Sequence, residues 1–492
     1  MRKLLLLLCL TILFGHAGNV LAAHAFALYD APKYPADFTH FDYVNPNAPK
    51  GGTLVLANPD RRTSFDKFNP FSMKGVSAAG VSSLMFETLA TSAMDETASM
   101  YGLLADDMAL ASDRMSISFH LNPKAHFNNG DPVLAEDVKY SFDILMAKGA
   151  PQFKSIFADI KQCVITSPRS VRFDFKTLNH ELPLIVGGLP VFSRKWGQNT
   201  SFDNIQLEAP IASGPYLIDK YDVGRSITYR RDPKYWGDQI PTRRGMFNFE
   251  HILYRFYKDD VAKLEAFKAG EFDVVVEYSA KNWARNYNGP KFTSGAIIKR
   301  ALPHSNGAGM QGFVMNLRRP QFQDIRVRQA LGLALDFEWM NRQLFYNQYT
   351  RIYSFFNNSD MAATGLPSAG ELALLEPLRS QLDPAVFGPA PIPPRTAPPP
   401  ASLRANLLQA RALFGAAGWH YRDGALRNSA GQPFTFEILD DQSSMSRVIS
   451  VYVRNLEKLG ITVNQRTADY ALVQKRMEEF DFDMTSLRFP DV

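Results

Sequence analysis

The stretch "DDVAKLEAFKAGEFDVVVE", Asp259 to Glu277, constrains the fold most, because one short run carries a helix start, a helix stop and a strand. Asp259 or Asp260 supplies an oxygen for the free N–H groups of a first helical turn, Val261, Leu264 and Phe267 form a stripe at helical spacing, and Gly270 permits the left-handed turn that ends a helix. Phe272 to Val276 then reads as a buried strand. "DIRVRQALGLALD" is a second unit of this sort, with Asp324 as the cap and Val327, Leu331, Ala334 and Leu335 turned inward. Asp336 starts a further helix through Trp339 and Phe345. Capped helices alternating with apolar strands predict an α/β protein. At 492 residues the chain exceeds what one core ordinarily serves, so two or three lobes are expected.

Further elements follow from periodicity. Gly51-Gly52 reads as a turn into a strand over Thr53 to Leu56, and Asn69-Pro70-Phe71 as a loop. "AAGVSSLMFETLA" has helical spacing. "MSISFHLNP" and "SVRFDFKTL" alternate with period two, placing Ile117, Phe119, Leu121, Val171, Phe173 and Phe175 on inner faces. Between those strands lies "HFNNGDPVLAEDVKYSFDILM", which invites a metal-site reading. Ordinary structure explains it: Asn129-Gly130 favours a turn, Glu136 and Asp137 suit a helix's first turn, and Val138, Phe142, Leu145 and Met146 make one apolar face. His126 has no second histidine in a ligand pattern and reads as a loop histidine. Trp236 in "KYWG" reads as a packed anchor.

Arg2 and Lys3 precede the apolar run Leu4 to Phe14, and Ala23-His24-Ala25 offers an Ala-x-Ala cleavage site, the pattern of a cleaved export signal. The mature chain is then expected to begin near His24 or Phe26, soluble outside the cytoplasm. Of two cysteines, Cys9 leaves with the signal, so Cys163 has no internal disulfide partner and reads as a buried thiol. Formal charge is +5, without a dense Lys/Arg run, which gives no reason to invoke nucleic acid. No cofactor or metal is implied, since the nine histidines are scattered. Neither a His-Glu-x-x-His nor a Gly-x-Ser-x-Gly pattern occurs, so no enzyme activity is expected.

From Ser359 to Ser402 one short helix, near Gly370 to Gln381, precedes a proline-rich extended segment over residues 383–400. Helices and strands resume with "SLRANLLQARALFGAAGW", "PFTFEILD", a helix from Met445 to Leu459, and "ITVNQRT". "FDFDMTSLRFPDV" alternates like an interior strand and stops without a polar tail, which suggests a sequence cut at Val492.

Distributed segments, "GGTLVLA", "FNPF", "ISFHLNPKAHFNNGDPVLAEDVKYSF", "IASGPYLI", "YRRDPKYWG", "NFEHILYRFYKDD", "FKAGEFDVV" and "RVRQALGLALD", resemble in order the peptide-type (family 5) solute-binding proteins of bacterial ABC importers. "ALYDAPKYPADFTHFDYVNPNAPKGGTL" and "RRPQFQDIRVRQAL" resemble the Yej-type branch, known for peptide and microcin C uptake. Where the family usually has a hydroxyl before "AEDV", Leu134 stands here, removing a helix cap worth about 1 kcal/mol unless Asp131 or another group compensates.

The resemblance implies a class II, cluster C periplasmic-binding-protein fold: two α/β lobes with an extra domain inserted in the first. On that basis 1–25 is the signal, 26–72 and 209–305 the first lobe, 73–208 the inserted domain and 306–492 the second lobe. The first lobe's return segment is expected to be missing. The implied function is capture of oligopeptides by a monomer through lobe closure, with delivery to permease subunits at the inner membrane. The rival ligand is a peptide-nucleotide conjugate, an oligosaccharide or a metal chelate. Candidate ligand-binding residues are Asn69 and Phe71 in the first-lobe loop, Met310 and Gln311 where the second lobe begins, and Phe355 and Phe356 after "RIYS". Asp491 is the candidate carboxylate for a peptide amine, with Phe489 at the family's aromatic position and Asp483 read as strand alternation.

Overall fold

A computed structural model describes residues 23–59, 63–441 and 445–489. Residues 1–22 (most of the expected export signal), part of the loop before Asn69, and Asp491 lie outside these residues. The chain divides into two compact units, Met1–Val276 and Glu277–Val492.

In the first unit, Gly51 and Gly52, at φ +123° and +70°, turn the chain into strand Thr53–Ala57. That strand ends a four-stranded sheet in the order Tyr216–Asp222, Ser226–Arg231, His251–Arg255, Thr53–Ala57. The last pairing is parallel and the others antiparallel. A second sheet, Ala105–Leu110, Ser116–Leu121, Ser170–Phe175, Ile160–Ser167, is antiparallel throughout. The six apolar residues that alternate along its two inner strands are all buried, as the period-two pattern requires.

Helix Ala135–Lys148 packs on that sheet, with the Phe142 ring 5.6 Å from Phe173 at 83°. No side chain caps it at Leu134; Asp137 supplies the return half of a cap, its carboxylate accepting the Leu134 and Arg194 N–H groups, each at 3.1 Å. Burial pushes the Asp137 pKa up, while those N–H groups and the Arg194 guanidinium draw it back. Asp131 serves elsewhere, paired with Lys195 at 2.8 Å. His126 is a half-buried loop staple, its ring nitrogens 3.0 and 3.1 Å from the carbonyls of Lys124 and Lys234. Trp236 is buried, and its Nε1 donates to the Ser213 carbonyl at 3.0 Å. Cys163 is buried too, and burial pushes its thiol up to about 12.

Three expectations differ from the structure here. "AAGVSSLMFETLA" yields only the short helix Val81–Met85, because the Met85 carbonyl accepts the Gly214 N–H and Phe86 turns extended to bury its ring 4.8 Å from Phe71. Helix Asp260–Ala269 is capped by Asp259 and ended by Gly270 at φ +89°, yet Val261 is 73% exposed, so the buried stripe starts at Leu264. Phe272 is buried, but Val274 and Val276 are exposed, and a single bridge, Leu56 to Val274, replaces the expected buried strand. An apolar run sheds its strand pattern when no second layer covers it.

The second unit centres on a sheet in the order Met310–Met315, Met484–Phe489, Thr435–Asp440, Thr462–Thr467. The first pairing is antiparallel and the other two parallel. Helix Ile325–Leu333 is capped by Asp324, which accepts the Arg326 N–H at 2.8 Å, and helix Phe337–Gln343 by Asp336, which accepts from Trp339 at 3.1 Å. Helices Arg404–Ala416 and Ser446–Glu457 bury Phe414, Ile449, Tyr452 and Leu456 in the core with Phe322, Phe436 and Ile438. The short helix Ala369–Leu375 continues as a tighter turn, Glu376–Gln381. The proline-rich segment then runs extended along the unit, tied by Arg351 to the Pro394 carbonyl, by Glu338 to the Thr396 N–H at 3.0 Å, and by Asn406 to the Arg395 carbonyl at 3.2 Å.

Candidate functional site

The pairing of strands Met310–Met315 and Met484–Phe489 sets the site's geometry. Met310 faces Phe489 across the ladder, and Gln311 faces Arg488. Side chains alternate along a strand, so Met310 and Phe489 share one face while Gln311 and Arg488 take the other. The Phe355 ring joins the first face, its centroid 5.6 Å from that of Phe489 at 68°, an edge-to-face contact. Phe355 and Phe489 remain 58% and 40% exposed, so two joined rings present apolar surface beside an outer strand of the sheet.

Asn357 holds Phe355 there. It is buried; its Nδ2 donates to the carbonyls of Gly309, at 3.2 Å, and Ser354, and its Oδ1 accepts the Tyr353 N–H at 3.2 Å. The Ala308 N–H closes on the Asn357 carbonyl at 2.8 Å. Asn358, at φ +61°, donates to the carbonyls of His304 and Asn306, both at 2.9 Å. The turn carrying Phe355 is thereby stapled to the segment that enters the strand, and buried amide bonds of this kind fix a single conformation.

Asp483 has a structural role. It pairs with Arg319 at 2.9 Å and accepts the Glu437 N–H at 2.9 Å. Asp491 lies two positions past Phe489, outside the described residues. Phe356 is 45% exposed and makes no ring contact among the described residues.

Asn69 and Phe71 belong to the interior of the first unit. Asn69 has no exposed surface; its Nδ2 donates to the Phe202 carbonyl at 2.8 Å and its Oδ1 accepts the Phe71 N–H at 2.9 Å. Phe71 stacks on Phe192 at 5.3 Å. In this conformation neither reaches a ligand. Of the sequence candidates in the second unit, then, the structure brings together Met310 and Phe355 with Phe489 and puts Gln311 on the opposite face beside Arg488; Asn69 and Phe71 are buried within the first unit. Arg488 and Asn357 were not among those candidates. Arg488 is visible only once strand register is known, whereas an Asn directly after two aromatic residues is a usable turn signal. Among the described residues no cluster of three His, Cys, Asp or Glu side chains is arranged to hold a metal ion.

The mixed α/β sheets and their covering helices are those of the two-lobed class II binding-protein fold. The chain belongs to the bacterial extracellular solute-binding proteins, family 5, whose model matches residues 99–490. It is 37% identical over 489 residues to the uncharacterized protein YejA of Escherichia coli K12, covering 98% of this chain and 79% of that one. It is 39% identical to a probable peptide-binding protein YejA of Agrobacterium fabrum (92% of this chain, 75% of that one), and 33% identical to the same organism's peptidoglycan-binding protein YepA (100% and 83%). Solved structures with the same fold include NikA from Brucella suis in complex with Fe(III)-EDTA (TM-score 0.65, 20% identity, 89% of this chain, 79% of that one). Another is the oligopeptide-binding protein AppA from Bacillus subtilis in complex with a nonapeptide (TM-score 0.63, 17% identity, 90% and 80%). The protein is thus a Yej-type, family 5 solute-binding protein.

Proposed function

We propose that this chain captures oligopeptides outside the cytoplasm and delivers them to an inner-membrane ABC permease. One observation carries the reading: Phe355 and Phe489 stand exposed and joined beside strand Met310–Met315, which among the described residues pairs with one neighbour in its sheet. An outer strand offers N–H and C=O groups to an extended peptide whatever its side chains, and exposed rings beside it add apolar contact without demanding one sequence. The nearby names agree, with a probable peptide-binding protein among the relatives and a nonapeptide in a structural neighbour.

Capture by lobe closure requires a ligand that favours the closed state, and no bond in the cargo changes. The lobe boundaries proposed above, 26–72 with 209–305, 73–208 and 306–492, are part of this reading, as are action as a monomer and periplasmic export with removal of the N-terminal segment. No helix among the described residues is long and apolar enough to cross a membrane.

Small molecules extracted from natively purified protein and weighed by mass spectrometry test the reading, with peptides the expected result. Calorimetry should then show the Phe355→Ala variant binding those peptides about tenfold more weakly, ~1.4 kcal/mol. Asp491→Ala should weaken peptides with a free N-terminus and spare N-blocked ones; equal losses would remove Asp491 from the role. A relative named for peptidoglycan binding and a neighbour holding Fe(III)-EDTA favour a second reading, a non-peptide solute such as an oligosaccharide, peptide conjugate or metal chelate. Recovery of such a solute in place of peptides would select it.

A further inference from the structure

We propose that the open groove at the start of helix Arg404–Ala416 binds an amphipathic anion, a phosphate head carrying a short alkyl tail. The groove holds about 430 Å³, within the size range of small-ligand sites. Leu403, Leu407 and Leu408 line its apolar part, and Arg404, Arg411 and Lys458 supply its charge. Leu403 is buried as the floor, while Leu408 is 58% exposed, an apolar rim left in water.

Among the described residues, no carboxylate lies within ion-pair distance of Arg404, Arg411 or Lys458, and Glu457, next in sequence, is not part of the lining. Arg411 is oriented without being neutralised: its Nη2 donates to the Lys458 carbonyl at 3.3 Å and its guanidinium lies 5.1 Å from the Tyr421 ring centre. Lys458 Nζ donates to a neutral group, Asn455 Oδ1, at 3.3 Å. The helix's first turn holds no acidic residue, so nothing there offsets the positive potential.

Three cations around one groove favour an anion, and the two guanidinium groups can each grip phosphate oxygens through paired N–H donors. The leucines require that the anion carry an apolar tail, since a bare ion would leave them wet. This site is separate from Phe355 and Phe489 and stands independently of the peptide reading. Its occupant is either a free phosphorylated amphiphile or an anionic phospholipid.

The test is calorimetry with monomeric dihexanoylphosphatidylglycerol, beside dihexanoylphosphatidylcholine and inorganic phosphate. Saturable, salt-sensitive binding of the anionic lipid is expected, with much weaker binding of the other two. The double variant R404Q/K458Q, both positions being exposed, should weaken it about tenfold, with unchanged melting and unchanged peptide binding. Sedimentation with phosphatidylglycerol vesicles assigns the source: co-sedimentation supports a membrane lipid, and binding of the monomer alone supports a soluble amphiphile. No saturable binding, equal binding of the zwitterion, equal binding of bare phosphate, or indifference to R404Q/K458Q would each overturn the proposal.

Discussion

Asn316 offers a sharp test of how the strand bearing Phe489 is held. It is buried, and its Nδ2 donates to the carbonyls of Phe480 and Phe482 at 2.9 and 2.8 Å, while its Oδ1 accepts the Arg318 N–H at 3.1 Å. Asn316→Ala removes all three bonds. A buried polar group left unpaired costs about 1–3 kcal/mol. Arg319 Nε also donates to the Phe482 carbonyl, at 3.3 Å, which moderates the loss. A net destabilisation of about 2–3 kcal/mol follows, or a fall in melting temperature on the order of 8 °C for a unit of this size. Asn316→Asp is the more telling change, because it keeps the shape and the acceptor but turns a second acceptor toward two carbonyls. The folded pKa of the introduced carboxyl should rise above the unfolded value of about 3.9. Stability is then lost as pH climbs from about 4 through the folded pKa and is regained on acidification. Urea titrations of both variants at neutral and acid pH, read by circular dichroism, check this. An Asn316→Asp variant as stable as the parent at neutral pH would refute the geometry, as would a loss below about 1 kcal/mol for Asn316→Ala.

Cys163, buried and pushed up to about 12, should resist iodoacetamide in the folded protein at mildly alkaline pH and react fully in denaturant; labelling of the native state would contradict its placement. Asp324 is held at about 2 by its hydrogen bonds to the Arg326 side chain and N–H. Its stabilising contribution is therefore complete above the unfolded value of about 4 and disappears as pH falls toward 2. Asn is an equally good helix cap, so thermal melts of Asp324→Asn and the parent should converge over that window, and a constant gap would argue against the pairing. The backbone ladder pairs Ala25 with Tyr101, and Ala25 is buried. The intact mass of the exported protein should accordingly show a first residue no later than His24; a chain starting at Phe26 would show that the first strand tolerates the loss.

Local chemistry made much of the fold legible. Asp259, Asp324 and Asp336 each cap the helix their sequence position announces, and the alternating strands bury the residues that period two selects. Reading failed where distant groups decide. No local signal says that Val261 will face water, or that Gly214 will draw the chain out of its helix at Met85. Loop character at Asn69-Pro70-Phe71 is real, yet the loop plugs a core. For the candidate site, the sequence supplied Met310, Phe355 and the aromatic position at Phe489, but only register could separate Gln311 from Met310 and bring Arg488 beside it.

Strand Met484–Phe489 is inserted between Met310–Met315 and Thr435–Asp440, although it is the last of the four to be made. Until it arrives, the strand at 310–315 has no neighbour in the sheet to accept its backbone bonds. Closing a gap of that length carries a large loop-entropy cost and slows folding. A nascent chain that has emerged only as far as Asp481 therefore holds an unfinished half, soft and prone to clumping. Completion of the sheet acts as the latch that ends that interval.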